Sequence, residues 1–373
     1  MTPATTPATP QNVPAAGHLR VAPRSRWSGY ALLLAVLLLV PAVFTRVPFL
    51  TMSVAVLMGI QAIAALGLVP LTGHGGQISL GQAAFFAIGG YTSGILTTRW
   101  HVNALLALVA GMVLAAGIAY LVGLFIFRAE GQYLALATLS FGLAVSSLAN
   151  QLPLTGAADG LSGIAPLAPI GRQLADDLSV YYLVAAVLLV AVVAVDTLLR
   201  SPVGDALTAL GDSPVATAAA GISVAALRRN SFALSAAPAA LAGSLYAHWS
   251  TFMDSGQAGI LNSIQLLIIA TIGGVRTVWG APIGAFLITM FSEASKSLVP
   301  HVIPGASGNY EIVVYGIALI VTLLFLPQGV AGGLTRRPRP GPPGPASRHH
   351  SRQVHSRAKR RTNERNHVVP HEK

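Results

Sequence analysis

A chain of 373 residues with 53% hydrophobic and only 9% charged side chains excludes a soluble fold, because a soluble domain keeps roughly a quarter of its residues charged to wet its surface. The formal charge of +11 points to nucleic acid only until it is divided: from Thr335 onward 11 Lys/Arg stand against Glu364 and Glu372, while the rest carries 12 Lys/Arg against 10 Asp/Glu. A basic tail on a neutral apolar body meets anionic lipid or the cytoplasm rather than bases, and the absence of Cys removes disulfides, thiol catalysis and Cys-based metal sites.

Residues 1–27 are rich in Thr, Pro and Ala and carry Arg20, Arg24 and Arg26 ahead of the first apolar run, Tyr30–Val43. That flank is like a signal peptide's. However, no small-x-small cleavage pattern stands out and many more apolar runs follow, so it reads as a disordered segment before an uncleaved anchor. Stretches long enough to cross about 30 Å of hydrocarbon fall at 28–45, 49–71, 79–98, 103–127, 131–150, 180–199, 230–252, 261–275, 279–298 and 309–328. The pattern predicts an all-α fold, a polytopic transmembrane helical bundle of about ten spans including broken or re-entrant helices. The eighth segment is the one short enough to be broken.

Orientation follows from Lys and Arg. With the N-terminus inside, 19 of them collect on the cytoplasmic side and 4 on the other, and an even number of spans brings both termini to the cytoplasm. Two connections are too long for simple turns: 151–179 on the external face and 200–229 in the cytoplasm. The membrane body is expected over 28–329 and a disordered basic tail over 330–373. Five of the ten His lie in that tail, at irregular spacing and without Cys. That composition argues against a metal site, and no catalytic residue is assigned.

The least ordinary stretch runs from Leu71 to Tyr91. Gly73, Gly75 and Gly76 break a helix at membrane depth or just inside it, which a bilayer tolerates only where protein or a watery cavity satisfies the freed backbone groups. His74, Gln77, Ser79 and Gln82 supply neutral polar groups there, and Gly81, Gly89, Gly90 and Gly94 offer small faces for close packing. Two readings remain: a tight interhelical turn, or a discontinuous helix beside a solute path lined by His74, Gln77, Ser79, Gln82 and Tyr91. The second signal is 200–223. Pro202 starts a helix, Gly211 stops it, Ser213-Pro214 caps the next, and Gly221 ends that one. Between Pro202 and Leu227 the acids are only Asp205 and Asp212, too few for a solvated loop, so the two small helices form a ridge for another protein's groove.

These segments resemble the permease subunits of branched-chain amino acid ABC transporters. The resemblance rests on Gly76-Gln77-Ile78-Ser79-Leu80-Gly81-Gln82-Ala83-Ala84-Phe85, on Arg200–Gly204, and on Gly221–Val224 with Arg228 and Phe232. Ala242–Tyr246, Ile272–Val275, Gly280–Gly284 and Leu324–Gly329 follow in the same order, so it covers about residues 30–330. It implies a multi-pass protein of a prokaryotic cell membrane, with an importer's coupling contact at Gly204, Asp205, Ala206, Leu207, Leu210, Asp212, Gly221 and Arg228. The partners it implies are a second homologous permease, two cytoplasmic ATPases, an extracytoplasmic substrate-binding protein and membrane lipid, with no nucleic acid. Asp205, Gly211 and Pro214 depart from the family's usual basic and Glu residues, which puts the ion pairing with an ATPase in question. ATP would be bound by the partners and no cofactor by this chain, which lacks a G-x-x-x-x-G-K-[ST] phosphate loop.

The competing class is an ion-coupled secondary transporter, which keeps carboxylates inside its spans. Asp196, Glu293 and Glu311 stand near span ends instead, where interfacial acids are ordinary. His101, His248 and His301 fall on external ends, where a lone His is usually interfacial, and no catalytic cluster gathers at one depth. Branched-chain amino acids are the expected solute by family weight, with urea and short amides as the alternative.

Overall fold

The computed structural model describes residues 24–44, 50–127, 132–167, 176–302, 316 and 329–334. The described residues up to Gly332 form one compact unit; of the second unit, 333–373, only Gly333 and Leu334 are described. The expected N-terminal segment, most of the tenth span and the basic tail lie outside the described residues.

The helices are α1 (Arg24–Phe44), α2 (Met52–Leu66), α3 (Gln82–Arg99), α4 (Ala104–Ile126), α5 (Gln132–Gln151), α6 (Asp177–Leu199), α7 (Pro202–Asp212), α8 (Pro214–Ala219), α9 (Val224–Ser250), α10 (Ile260–Gly273) and α11 (Gly280–Val302), with a last short turn at Gly329–Leu334. The first nine expected spans correspond to α1–α6 and α9–α11. Among the described residues, five stretches are long and apolar enough on their own to cross a membrane: Trp27–Phe44, Met52–His74, Ala104–Ile126, Tyr133–Gln151 and Asp177–Leu199. By contrast, α3 and α9 carry Ser, Thr, Gln and Gly among their apolar residues, because they pack against protein rather than lipid. Among the described residues the only strand pairing is Leu161–Ser162 against Phe252–Met253.

Helix α9 is the hub, packed on α2, α3 and α4. Lipid tails are as apolar as leucine, so helices associate through close backbone approach rather than the hydrophobic effect. The α3–α9 crossing shows how close. A β-carbon on Gly89 would collide with the Ala240 carbonyl, and one on Gly243 with the Phe86 carbonyl. Ser244 Oγ donates to the Gly89 carbonyl across this seam at 2.9 Å.

Candidate functional site

The second span does not end in a simple turn. After Leu66 the chain passes through a π-helical turn, Val69–His74, and then runs non-helically until α3 begins at Gln82. Gln77 N–H donates back to the Leu71 carbonyl at 3.2 Å, and Thr72 Oγ1 donates to the Gln77 carbonyl at 2.9 Å. The segment therefore climbs alongside the turn it has just left. Gln82 Nε2 reaches the carbonyls of Ser235 at 3.0 Å and Ala64 at 3.4 Å. Ala64 lies in the last turn of α2 and ten residues before His74, so α3 opens level with the end of α2, behind the π turn. The backbone here is a discontinuous helix, as the glycines of the break predict.

The polar residues of the break are held by α9. Gln77 Nε2 donates to Ser231 Oγ at 3.2 Å, and Ser235 Oγ donates to Gln82 Oε1 at 3.2 Å. Ser231 and Ser235 are one helical turn apart, so one face of α9 reads both glutamines. Ser79 is buried and its Oγ accepts from Gly81 N–H at 3.4 Å. His74 Nδ1 donates to the Val69 carbonyl at 3.2 Å, which closes the π turn. Tyr91 is buried further along α3. Gln77 Oε1 and the Tyr91 hydroxyl are buried without a partner among the described residues. Each costs about 1–3 kcal/mol unless water or solute meets it.

Helix α7 lies under the break. Gly204, Leu207 and Leu210 are buried against the bundle, whereas Asp205, Asp212 and Gly221 are exposed and Ala206 and Arg228 half-buried. A β-carbon on Gly211 would collide with the His74 carbonyl, and one on Gly73 with the Val275 carbonyl. Arg276 Nη2 stands 3.7 Å from Asp212 Oδ1, with both side chains mostly exposed, a pair worth about 0–1 kcal/mol. Ser213 Oγ caps α8 by accepting from Ala216 N–H at 3.2 Å. The outer face of the two helices shows Val203 and Val215, 46% and 80% exposed. The break, the turn after α10 and the α7–α8 ridge thus form one assembly, which the sequence presents as separate pieces.

The acids near span ends are paired. Asp196 accepts from Arg200 Nε at 2.8 Å and from the Tyr30 hydroxyl at 2.5 Å, and the hydrogen bond that Arg200 donates to Asp196 keeps its guanidinium above its ordinary pKa. Glu293 accepts from Lys296 at 2.9 Å; Glu311 lies outside the described residues. His248 departs from the interfacial expectation. It is buried, its Nδ1–H donating to the Ala165 carbonyl at 2.7 Å and its Nε2 accepting from Ser93 Oγ at 2.7 Å. It pins the segment after Ser162 to α3 and α9.

A cleft with about 370 Å³ of unfilled space, partly open to the surroundings, lies between α2, α3, α9 and α10. Its polar wall is Gln61, Tyr246, Gln257, Asn262 and Gln265. None of the five residues expected beside a path lines it, although Ala83, next to Gln82, does. Sequence reasoning missed these amides; the signal available was one glutamine, Gln61, inside the otherwise apolar run of α2.

Comparison with known proteins is consistent with this geometry. Residues 50–323 match the family model described as branched-chain amino acid transport system / permease component. The high-affinity branched-chain amino acid transport system permease protein LivM of Escherichia coli (strain K12) is 28% identical over 304 residues, 75% of this chain and 69% of that protein. The probable branched-chain amino acid transport permease protein LivH of Methanocaldococcus jannaschii is 32% identical over 140 residues, 36% of this chain and 42% of that one. No solved structure matches the chain significantly.

Proposed function

The chain belongs to the branched-chain amino acid transport permease family, and from that premise we propose that it is the membrane subunit of an ATP-driven importer of branched-chain amino acids, coupled through α7–α8 to separate ATPases. As a transport permease it is a multi-pass membrane protein and not an enzyme. The observation that carries the coupling is the seat of α7. Its buried face grips the bundle through Gly204, Leu207 and Leu210, its far end touches the break at His74 and Gly76, and its outer face offers Val203 and Val215. An ATPase pair that closes on ATP would move this ridge and, through it, the break, as a rigid-body transition driven by differential binding requires.

The charge bias supports a cytoplasmic position for the ridge and both termini, since Arg200, Arg228, Arg229 and Arg276 all flank that end. A second permease and a substrate-binding protein on the opposite face complete the proposed assembly. Purification with native partners tests it. ATPase subunits co-purify, and reconstituted uptake of Leu, Ile and Val follows ATP. Uptake that ignores ATP and follows a proton or sodium gradient would sink the importer reading, and uptake of urea or acetamide in place of amino acids would sink the solute assignment.

A further inference from the structure

Membrane bundles rarely gather amides around a void, because each unpaired polar group there carries a desolvation cost. In the cleft, part of the hydrogen-bonding capacity is spent internally. Gln61 Oε1 accepts from Thr289 at 3.3 Å, Gln257 Nε2 donates to the Tyr246 hydroxyl at 3.3 Å, and Asn262 Nδ2 is used by Gly256 and Gln257. Left over among the described residues are the Gln61 amide N–H groups, the Tyr246 hydroxyl hydrogen, Asn262 Oδ1 and both ends of Gln265. These are donors and acceptors together, and among the described residues no Asp, Glu, Lys or Arg lines the space.

The opposite wall is apolar: Leu57, Ile60, Phe86 and Leu266. Such a cleft rejects a ligand of net charge, which it could not compensate, and suits one that is neutral overall, with a donor and an acceptor at one end and hydrocarbon at the other. The start of α3 at Gln82–Ala83 adds the positive end of a helix beside the amides, a placement that favours a carboxylate.

We propose that this cleft within the single subunit is a binding site for an α-amino acid with an apolar side chain, the head group held by Gln61, Tyr246, Asn262 and Gln265 and the side chain lying on Leu57, Ile60, Phe86 and Leu266. The ligand class rests on the importer reading above; the cleft itself does not. The test uses the full chain assembled with its native partners in proteoliposomes. Gln265→Leu and Gln61→Leu remove hydrogen-bonding groups at little change in volume, and leucine uptake per assembled complex should fall by about tenfold or more. Leu57→Ala lengthens the apolar wall, and the ratio of phenylalanine to valine uptake should rise by about fivefold or more. That ratio is read within one preparation, so a variant that assembles poorly still reports it, and a merely structural role for Leu57 would not move it. If the complex imports leucine but uptake and ratio are unchanged in all three variants, the cleft proposal is overturned while the importer reading stands. If the intact complex imports no amino acid, the importer reading fails and takes this ligand assignment with it.

Discussion

Gly211 at the end of α7 and Gly76 in the break of the second span meet backbone to backbone: a β-carbon built on Gly76 would stand 3.3 Å from the Gly211 Cα. Gly76 also holds φ at +65°, in the left-handed region that glycine enters freely. No side chain fits between the two segments, so displacement of α7 bears on the main chain of the break. From there the contact passes to Gln77 and Gln82, and so to Ser231 and Ser235 of α9.

Gly211→Val tests that relay. Its β-carbon collides with the His74 carbonyl and lifts α7 from the break, while the outer face with Val203 and Val215 is untouched. The expected outcome is normal insertion, retained ATPase binding and continuing ATP hydrolysis, with ATP-driven uptake down by about tenfold, the scale of a coupling energy of 1–2 kcal/mol. Uptake within a factor of two of the parent would remove the relay.

The two glutamines of the break carry a stability prediction. Gln82 is fully buried and makes three hydrogen bonds to α2 and α9. Gln82→Leu leaves Ser235 Oγ without that acceptor and should cost about 2–3 kcal/mol, against about 1 kcal/mol for Ser235→Ala. Because the two share a bond, the double variant should cost less than the sum. Thermal midpoints of the detergent-solubilised protein measure all three, and strict additivity would show that the pair is not coupled.

Packing at the α3–α9 seam makes a contrast between two glycines. A β-carbon at Gly243 runs into the Phe86 carbonyl, whereas one at Gly117 on α4 meets nothing within 4 Å. Gly243→Val should therefore cost about 1–3 kcal/mol or more by forcing the helices apart, with loss of a monodisperse peak on size exclusion. Gly117→Val should be neutral or nearly so, and equal damage at both sites would contradict the seam.

Much of this architecture is legible in the sequence where a local cause fixes it. The 23 apolar residues of α4 announce a span without help from any neighbour. Pro202 and the pair Ser213-Pro214 fix where α7 and α8 begin, since proline at the first helical position loses no hydrogen bond. The glycines after Thr72 mark the break for the same local reason. What the sequence hides is pairing over distance. Gln77 and Ser231 are 154 residues apart, and Gln82 and Ser235 are 153 apart, so nothing local assigns these glutamines to α9 rather than to an open path. The amides of the cleft likewise come from two helices and a turn, and only their convergence gives them meaning.

Asp196 separates the importer from its ion-coupled competitor. A carrier that moves on a proton gradient commonly uses a carboxylate that gains and loses a proton within its cycle. Asp196 is 13% exposed and holds both the Arg200 guanidinium and the Tyr30 hydroxyl, and Arg200 stays charged throughout the working pH range. The carboxylate therefore ties α1 to the end of α6. Asp196→Asn keeps the shape and the Tyr30 contact and loses the charge, a change worth about 1 kcal/mol at such a half-exposed pair. ATP-driven uptake should then stay within a factor of two of the parent from pH 6 to pH 8, as measured in proteoliposomes with ATP and without an imposed gradient. A collapse of uptake in Asp196→Asn, together with gradient-driven transport in the parent, would make Asp196 a coupling carboxylate and the chain a secondary transporter.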